Sequence, residues 1–140
     1  MPRILIPVDD SATTQKTIAA VVTNRDRFPR LLTLLHVVDD QPAYRMTPDV
    51  QLEMVRDNAR LAGEGLLDRY HVELAEAGLE SETLLEFGNP RQVIPQTADQ
   101  KGFDLLIIGR HTGGGEIRDV LFGSVANYVV HHTKCPVLLV

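Results

Sequence analysis

The sequence contains few aromatic residues and almost no cysteine. It has no tryptophan, 5% aromatic residues and one cysteine, Cys135, among 140 residues. The shortage of aromatic side chains argues against a stacking platform for single-stranded nucleic acid. A lone cysteine has no partner for an internal disulfide, which suits a reducing compartment. We therefore expect a cytoplasmic protein that is stabilised by an apolar core.

Long apolar runs and an excess of basic residues are also missing. No apolar run approaches the roughly 18 residues that a membrane-spanning helix requires. The first residues, Met1–Pro7, are interrupted by proline too early for a signal peptide. Lys and Arg number 14 against 19 acidic residues, so the net charge is −5. We expect neither a membrane span nor a nucleic-acid partner, because phosphate backbones are bound by basic surfaces.

Five short apolar runs are present, in a chain long enough for one domain. Four are nearly continuous, which is typical of parallel strands that are buried on both faces. The remaining run, Glu82–Phe87, alternates polar and apolar residues and predicts an edge strand. The predicted strands are Arg3–Val8, Leu31–Val38, Glu82–Phe87, Phe103–Ile108 and Pro136–Val140.

Helical patterns separate the predicted strands. They cover Ser11–Val22 with Ser11 as N-cap, about Pro48–Ala77, a segment that begins near Pro90, and Ser124–His132. Strands that alternate with helices predict an α/β fold with a doubly wound, five-stranded parallel sheet.

The longest predicted helix has an apolar face with a spacing of three or four residues. Its members are Leu52, Val55, Ala59, Ala62, Leu66, Tyr70, Leu74 and Ala77. Gly63 and Gly65 lie inside this helix, where each costs about 1 kcal/mol relative to alanine. We interpret both glycines as sites of close packing on the sheet, with a kink as the alternative.

A glycine-rich segment, residues 109–124, follows the fourth predicted strand. In doubly wound sheets a ligand binds beyond the carboxyl ends of the strands, where the strand order reverses. Glycines let backbone N–H groups approach an anion, and a helix that begins at Ser124 adds a positive dipole end. Arg110, His111 and Arg118 add charge, whereas the lysine-bearing phosphate-loop motif is absent. The segment predicts a phosphate site; the alternative is that the glycines only form turns and Ser124 only caps a helix.

Motifs along the whole chain resemble those of the universal stress protein family. They are Ile4–Ser11, His36–Asp39, Gly88–Pro90, Asp104–Gly109, Gly123–Ala126 and Cys135–Val140. The resemblance implies a single domain over residues 1–140. It also implies an adenine nucleotide alpha hydrolase-like fold, with strand order 3-2-1-4-5 and helices on both faces.

The family has members that bind ATP and members that do not. ATP-binding members resemble the pattern G-x2-G-x9-G-[S/T], and Gly113-x9-Gly123-Ser124 matches its second spacing. The first spacing is one residue longer here, because Gly109 lies four positions before Gly113. The resemblance implies binding of ATP, or of AMP or ADP, with Mg²⁺ held mainly by the phosphates.

The resemblance also implies a set of nucleotide-binding residues. Around the nucleoside these are Pro7, Val8, Asp9, Ser11 and Val37, the last through its backbone. Around the ribose and phosphates they are Ile108, Gly109, Gly113, Gly123, Ser124 and Val125. Arg110 and His111 are further candidates for this end of the site because of their charge. Asp9 also fits a helix-capping role shared with Asp10 and Ser11, and Val37 also fits a purely core position.

The leading hypothesis is a nucleotide-binding stress-response regulator without catalytic residues. The resemblance implies a homodimer through Val137–Val140, because this apolar edge strand needs a cover. A regulated protein, still unidentified, is the other expected partner. The alternatives are an interaction module that binds no nucleotide and a slow ATPase in which Asp9 and Asp10 hold Mg²⁺ through water. A phosphoacceptor receiver domain is set aside, because the third strand ends without an aspartate.

The remaining polar candidates are interpreted as structural. His36 falls at a strand end, where a histidine with satisfied hydrogen bonds is more common than a ligand. His131 and His132 lie near the end of the last predicted helix, where a cation suits the helix dipole. Cys135 precedes the last predicted strand and is expected to serve packing.

Overall fold

The computed structural model describes residues 2–39, 49–110 and 124–140, without the side chains of residues 49 and 50. In these ranges the strands are β1 (Ile4–Pro7), β2 (Leu31–Asp39), β3 (Glu80–Gly88), β4 (Leu105–Ile108) and β5 (Val137–Leu139). The helices are α1 (Ala12–Thr23), α2 (Asp49–Glu76), α3 (Pro90–Gln100) and α4 (Ser124–His132), with a 3₁₀ turn at Arg25–Arg27. Each predicted element is present, with its ends shifted by a few residues.

All strand pairs in the sheet are parallel, and the strand order is β3-β2-β1-β4-β5. The predicted fold class and strand order are therefore confirmed. Leu5 in β1 pairs with Thr33 of β2 on one side and with Leu106 of β4 on the other. β3 lies at an edge of the sheet, as its alternating pattern predicts.

Two apolar cores lie on opposite faces of the sheet. Ile4 and Ile6 of β1 point to one face and pack with residues of α1 and α2, including Ile18 and Tyr70. Leu5 points to the other face, where it joins a second cluster from α3 and α4. The alternation of side chains along a strand puts neighbours on opposite faces, and the helices cover both faces as predicted.

Local sequence signals account for several helix ends. The Ser11 hydroxyl accepts a hydrogen bond from the Thr14 N–H at 3.2 Å and caps α1, as predicted. Asn89 accepts from the Arg91 N–H at 3.0 Å, and Pro90 occupies the first turn of α3. Gly78 has a φ of +83° just beyond the end of α2, a conformation that glycine adopts without strain.

The predicted apolar face of α2 is confirmed in the C-terminal half of the helix and only in part in the N-terminal half. Tyr70 and Leu74 are fully buried, whereas Val55 and Ala62 are exposed. Leu67, which was not predicted, is buried against the sheet. In the N-terminal half the predicted Leu52 and Ala59 are half-buried, so this part of the helix is covered less than the prediction assumed.

The two glycines inside α2 have different environments. A Cβ at Gly63 would lie 2.7 Å from His36 Cδ2 and 2.8 Å from Leu85 Cδ1, so close packing explains this glycine. A Cβ at Gly65 would meet no atom within 4 Å. The close-packing interpretation is therefore confirmed at Gly63 and wrong at Gly65, where a Cβ would have open space.

Alanine substitutions should separate these two environments. Both positions gain about 1 kcal/mol of helix propensity, but Gly63→Ala also overpacks the contact with His36, at a cost of about 1–3 kcal/mol. We expect Gly65→Ala to raise the free energy of unfolding. The free energy of unfolding of Gly63→Ala should be at least about 1 kcal/mol lower than that of Gly65→Ala. Urea denaturation of both variants measures the difference, and equal stabilities would contradict it.

Cys135 is buried in the core between α3, α4 and the sheet. Its thiol donates a hydrogen bond to the Phe103 carbonyl oxygen at 3.3 Å. Burial, with smaller effects from Asp99 and Asp104, raises the pKa of the thiol above its ordinary value. These features agree with the predicted packing role and keep the thiol protonated near neutral pH.

The raised pKa of Cys135 predicts a loss of stability in alkaline solution. The unfolded thiol ionises from about pH 8.5, before the folded one, so the stabilisation is complete below that pH and declines as pH rises. The stability difference between the native chain and Cys135→Ala should therefore shrink between pH 8 and 10, by at most about 1.4 kcal/mol per pH unit. Urea denaturation of both proteins across this pH range tests the prediction. A stability difference that stays constant would contradict the raised pKa of Cys135.

Candidate functional site

A cavity of about 370 Å³ lies at the carboxyl edge of the sheet. Its walls come from the ends of β1, β2 and β4 and from the first turns of α1, α3 and α4. β1 has β2 on one side and β4 on the other, so the strand order reverses beside the cavity. Both the place and the volume are typical of a small-molecule site in a doubly wound fold.

Most of the residues that the sequence nominates for a nucleotide line this cavity. They are Pro7, Val8, Asp9, Ser11, Val37, Ile108, Gly109, Ser124 and Val125. Arg110 is not among the lining residues. Its N–H donates to the Val140 carbonyl oxygen at 2.8 Å, and its side chain is exposed. His111, Gly113 and Gly123 lie outside the described residues.

Other lining residues were not nominated from the sequence. They are Thr13, Thr14, Thr17, Leu35, Pro90, Ile94 and Ala126. The sequence signal that could have found some of them is the run of threonines in the first turns of α1. Thr14 and Thr17 carry hydroxyl groups and lie on the buried side of that helix. Ile94 looks like an ordinary core residue, and only its place near the start of α3 directs it to the cavity.

Asp9 is held by a compact set of hydrogen bonds. Its Oδ1 accepts from the Thr14 hydroxyl at 2.7 Å and from the Ser11 hydroxyl, while its N–H donates to Thr14 Oγ1 at 3.0 Å. Asp9 therefore both supports the α1 cap and lines the cavity, so its capping role is compatible with the predicted place beside a nucleoside. Asp10 does not share in this capping and does not line the cavity. Its Oδ1 lies 3.9 Å from Arg69 Nη2.

Gly109 allows β4 to end against α1. A Cβ at this position would lie 2.1 Å from Thr17 Oγ1 and 2.7 Å from Thr13 Cγ2. Real Cβ atoms do not approach other atoms so closely, so any other residue would force the side chains of Thr13 and Thr17, or the start of α1, to shift. Gly109 thus shapes the cavity wall through packing, apart from any contact with a ligand.

The electrostatics of the cavity favour an anion that is held by backbone groups. The first turns of three helices, each of nine residues or more, border it. Helix N-termini carry partial positive charge. At α3 this charge acts without free N–H groups, because the first N–H groups of that helix already donate to Asn89. Asp9 is the one charged side chain among the lining residues that the structure describes.

His36 and His132 have structural partners, as expected. His36 Nδ1 lies 2.9 Å from the Val8 carbonyl oxygen, so the ring donates its proton there and joins β2 to the end of β1. His132 stacks on Tyr128 with a centroid distance of 3.7 Å, and its Nδ1 lies 2.7 Å from the Tyr128 carbonyl oxygen. No cluster of three or more metal-ligating side chains occurs within residues 2–39, 49–110 and 124–140.

No helix in the described part of the chain is long and apolar enough to cross a membrane.

Among known proteins, a putative universal stress protein of Staphylococcus haemolyticus is 31% identical, with 98% of this chain and 82% of that protein aligned. The structure of UspA from Lactobacillus plantarum superposes with a TM-score of 0.80 at 28% identity, covering 99% and 97% of the two chains.

Two solved relatives contain nucleotides. A universal stress protein in complex with cAMP has a TM-score of 0.70 at 20% identity, covering 99% of this chain and 95% of that one. One from Archaeoglobus fulgidus in complex with dAMP has a TM-score of 0.70 at 19% identity, covering 99% and 97%. At these identities the likeness shows the fold alone.

The sequence profile of the universal stress protein family matches residues 1–140. The fold and the relatives agree with that match, and the chain belongs to the universal stress protein family.

Proposed function

We propose that this chain binds an adenine nucleotide, with ATP as the leading candidate, in the cavity at the carboxyl edge of the sheet. It would act as a nucleotide-responsive regulator in the cytoplasm. It would form a homodimer and regulate another protein. The observation that carries the proposal is the meeting of three helix N-termini around a cavity of about 370 Å³ at the strand-order reversal.

The lining residues divide into two groups that suit the two ends of a nucleotide. Val8, Val37, Ile94 and Ile108 supply apolar surface for the base and ribose, and the Val37 backbone is available to the edge of adenine. Ser124 begins α4 and brings a hydroxyl and the N–H groups of the first turn toward the phosphates. Mg²⁺, which adds positive charge beside phosphates, would be held mainly by the phosphates, since Asp9 already accepts two hydrogen bonds.

The solved relatives support the adenine part of the proposal. One contains cAMP and the other dAMP, and both ligands combine adenine, a pentose and one phosphate group. In the proposed arrangement, the two groups of lining residues would receive these parts. ATP adds two phosphates, which would extend from the cavity past the start of α4.

The nucleotide that stays with the purified chain tests the binding proposal. We expect denaturation to release an adenine nucleotide that mass spectrometry identifies. Added ATP at 100 times its dissociation constant should stabilise the fold by about 2.7 kcal/mol and raise Tm by several degrees. If nothing is released and ATP, ADP and AMP all leave Tm unchanged, the binding proposal is wrong.

A cavity-filling variant tests the place of binding. Val125 lines the cavity and is half-buried, so Val125→Trp should fill the site and weaken nucleotide affinity at least tenfold. Val130 is half-buried on the same helix but does not line the cavity, so Val130→Trp is the matched control. Isothermal titration with ATP gives both affinities, after circular dichroism shows that both variants fold. Equal affinities would place the nucleotide elsewhere.

The dimer is tested separately at β5. Strand pairing leaves this edge strand bonded to β4 on one side, and the Leu138 side chain is exposed. We expect light scattering to show a dimer that Leu138→Asp dissociates, because the substitution brings like charges together across the paired strands. Leu31→Asp changes an exposed leucine at another strand and should stay dimeric. A monomeric native chain would contradict the proposed assembly.

A further inference from the structure

The peptide unit that joins Val8 to Asp9 lies just beyond the end of β1. The strand ends at Pro7, and the Val8 N–H still donates to the Leu35 carbonyl oxygen of β2 at 2.8 Å. The next polar atoms of the chain are the Val8 carbonyl oxygen and the Asp9 N–H, and both need partners. Val8 and Asp9 line the nucleotide cavity. Whatever holds this peptide unit therefore decides where two residues of the cavity wall lie.

Side chains from two different elements hold the two polar atoms of this peptide unit. His36 of β2 donates from Nδ1 to the Val8 carbonyl oxygen at 2.9 Å. Thr14 of α1 accepts from the Asp9 N–H at 3.0 Å, and its hydroxyl donates to Asp9 Oδ1 at 2.7 Å. The peptide unit is thus held on both sides, and the Asp9 carboxylate is held together with it.

The imidazole of His36 is supported in turn by α2. A Cβ at Gly63 would lie 2.7 Å from His36 Cδ2 and 3.4 Å from Nε2, so the backbone of this buried glycine lies against the ring. In the described part of the chain, neither His36 nor Gly63 is among the residues that line the nucleotide cavity. Their connection to the cavity is therefore indirect and passes through Val8 and Asp9.

We propose that His36 is a positioning residue of the nucleotide site, a role that rests on the proposed nucleotide binding. Its hydrogen bond to Val8 fixes the peptide unit and so keeps the Asp9 carboxylate in the orientation that a nucleoside meets. Gly63 keeps the ring in place. Without the hydrogen bond the peptide unit can rotate, and binding must then include the cost of ordering it again. The packing of α2 thereby influences the affinity of a cavity that Gly63 does not touch.

The protonation of His36 tests the geometry without any nucleotide. A carbonyl oxygen can only accept a hydrogen bond, so the ring must carry a proton on Nδ1. We expect ¹⁵N NMR of the histidine rings to show this proton, with the His36 signals identified by their loss in His36→Asn. A neutral ring that is protonated only at Nε2 would overturn the proposal, whether or not a nucleotide binds.

Two substitutions of His36 test its effect on affinity. His36→Leu removes the donor, whereas His36→Asn keeps an N–H on an atom that is attached to Cγ, as Nδ1 is. Isothermal titration should show that His36→Leu weakens ATP binding at least about fivefold, which is the net worth of one hydrogen bond. His36→Asn should bind ATP more tightly than His36→Leu. A purely structural histidine would change Tm but not the affinity of the folded protein, and that result would overturn the proposal.

Two glycine variants test the influence of α2 from outside the cavity. Gly63→Ala pushes on the His36 ring, whereas a Cβ at Gly65 meets no atom within 4 Å. We expect Gly63→Ala to weaken ATP binding at least about twofold, because overpacking shifts the ring and the backbone that it holds. Gly65→Ala is the matched control and should bind ATP like the native chain. Equal affinities of two folded variants would overturn the proposal; if Gly63→Ala does not fold, the two His36 variants decide.

The titrations separate the role of His36 from nucleotide binding itself. A native chain that binds ATP as tightly as His36→Leu does would leave nucleotide binding in place and overturn the positioning role alone. A native chain that binds no adenine nucleotide would overturn both.

Discussion

The structure depends on the pairing and double burial of the four-residue strand β1. Ile4 and Ile6 face the core under α1 and α2, and Leu5 faces the core under α3 and α4. The strand also bonds to a parallel neighbour on each side. This central strand therefore links the two cores. Its burial stabilises the fold by roughly 25 cal/mol for each Å² of apolar surface removed from water. Its position also creates the reversal of strand order beside which the cavity opens.

Close approaches of the main chain decide the shape of the cavity. Gly109 lets β4 end against Thr13 and Thr17 of α1, and Gly63 lets α2 lie against His36. His36 in turn donates to the Val8 carbonyl oxygen, just before Asp9. Asp9 is then oriented by the hydroxyls of Ser11 and Thr14. The cavity edge is therefore set by contacts between helices and strands that are distant in sequence.

The elements of the fold were predictable because their patterns are local. Continuous apolar runs indicate buried parallel strands, the alternation in β3 indicates an edge, and Ser11, Pro90 and Gly78 mark helix ends. The face of α2 was predicted less well, since periodicity shows which residues share a side but not which residues the assembled sheet covers. Val55 is exposed and Leu67 is buried for that reason.

By itself the sequence determined the element order, the two-sided core and the family, and it nominated most of the residues around the cavity. The tertiary structure decided what depends on distances across the chain. It brought Thr13, Thr17 and Ile94 to the cavity, left Arg110 off its wall, and gave Gly63 and Gly65 opposite environments. The physical reason is that hydrogen bonds, caps and periodicity act within a few residues. Contact between α1 and β4, or between α2 and β2, arises only when the sheet is assembled.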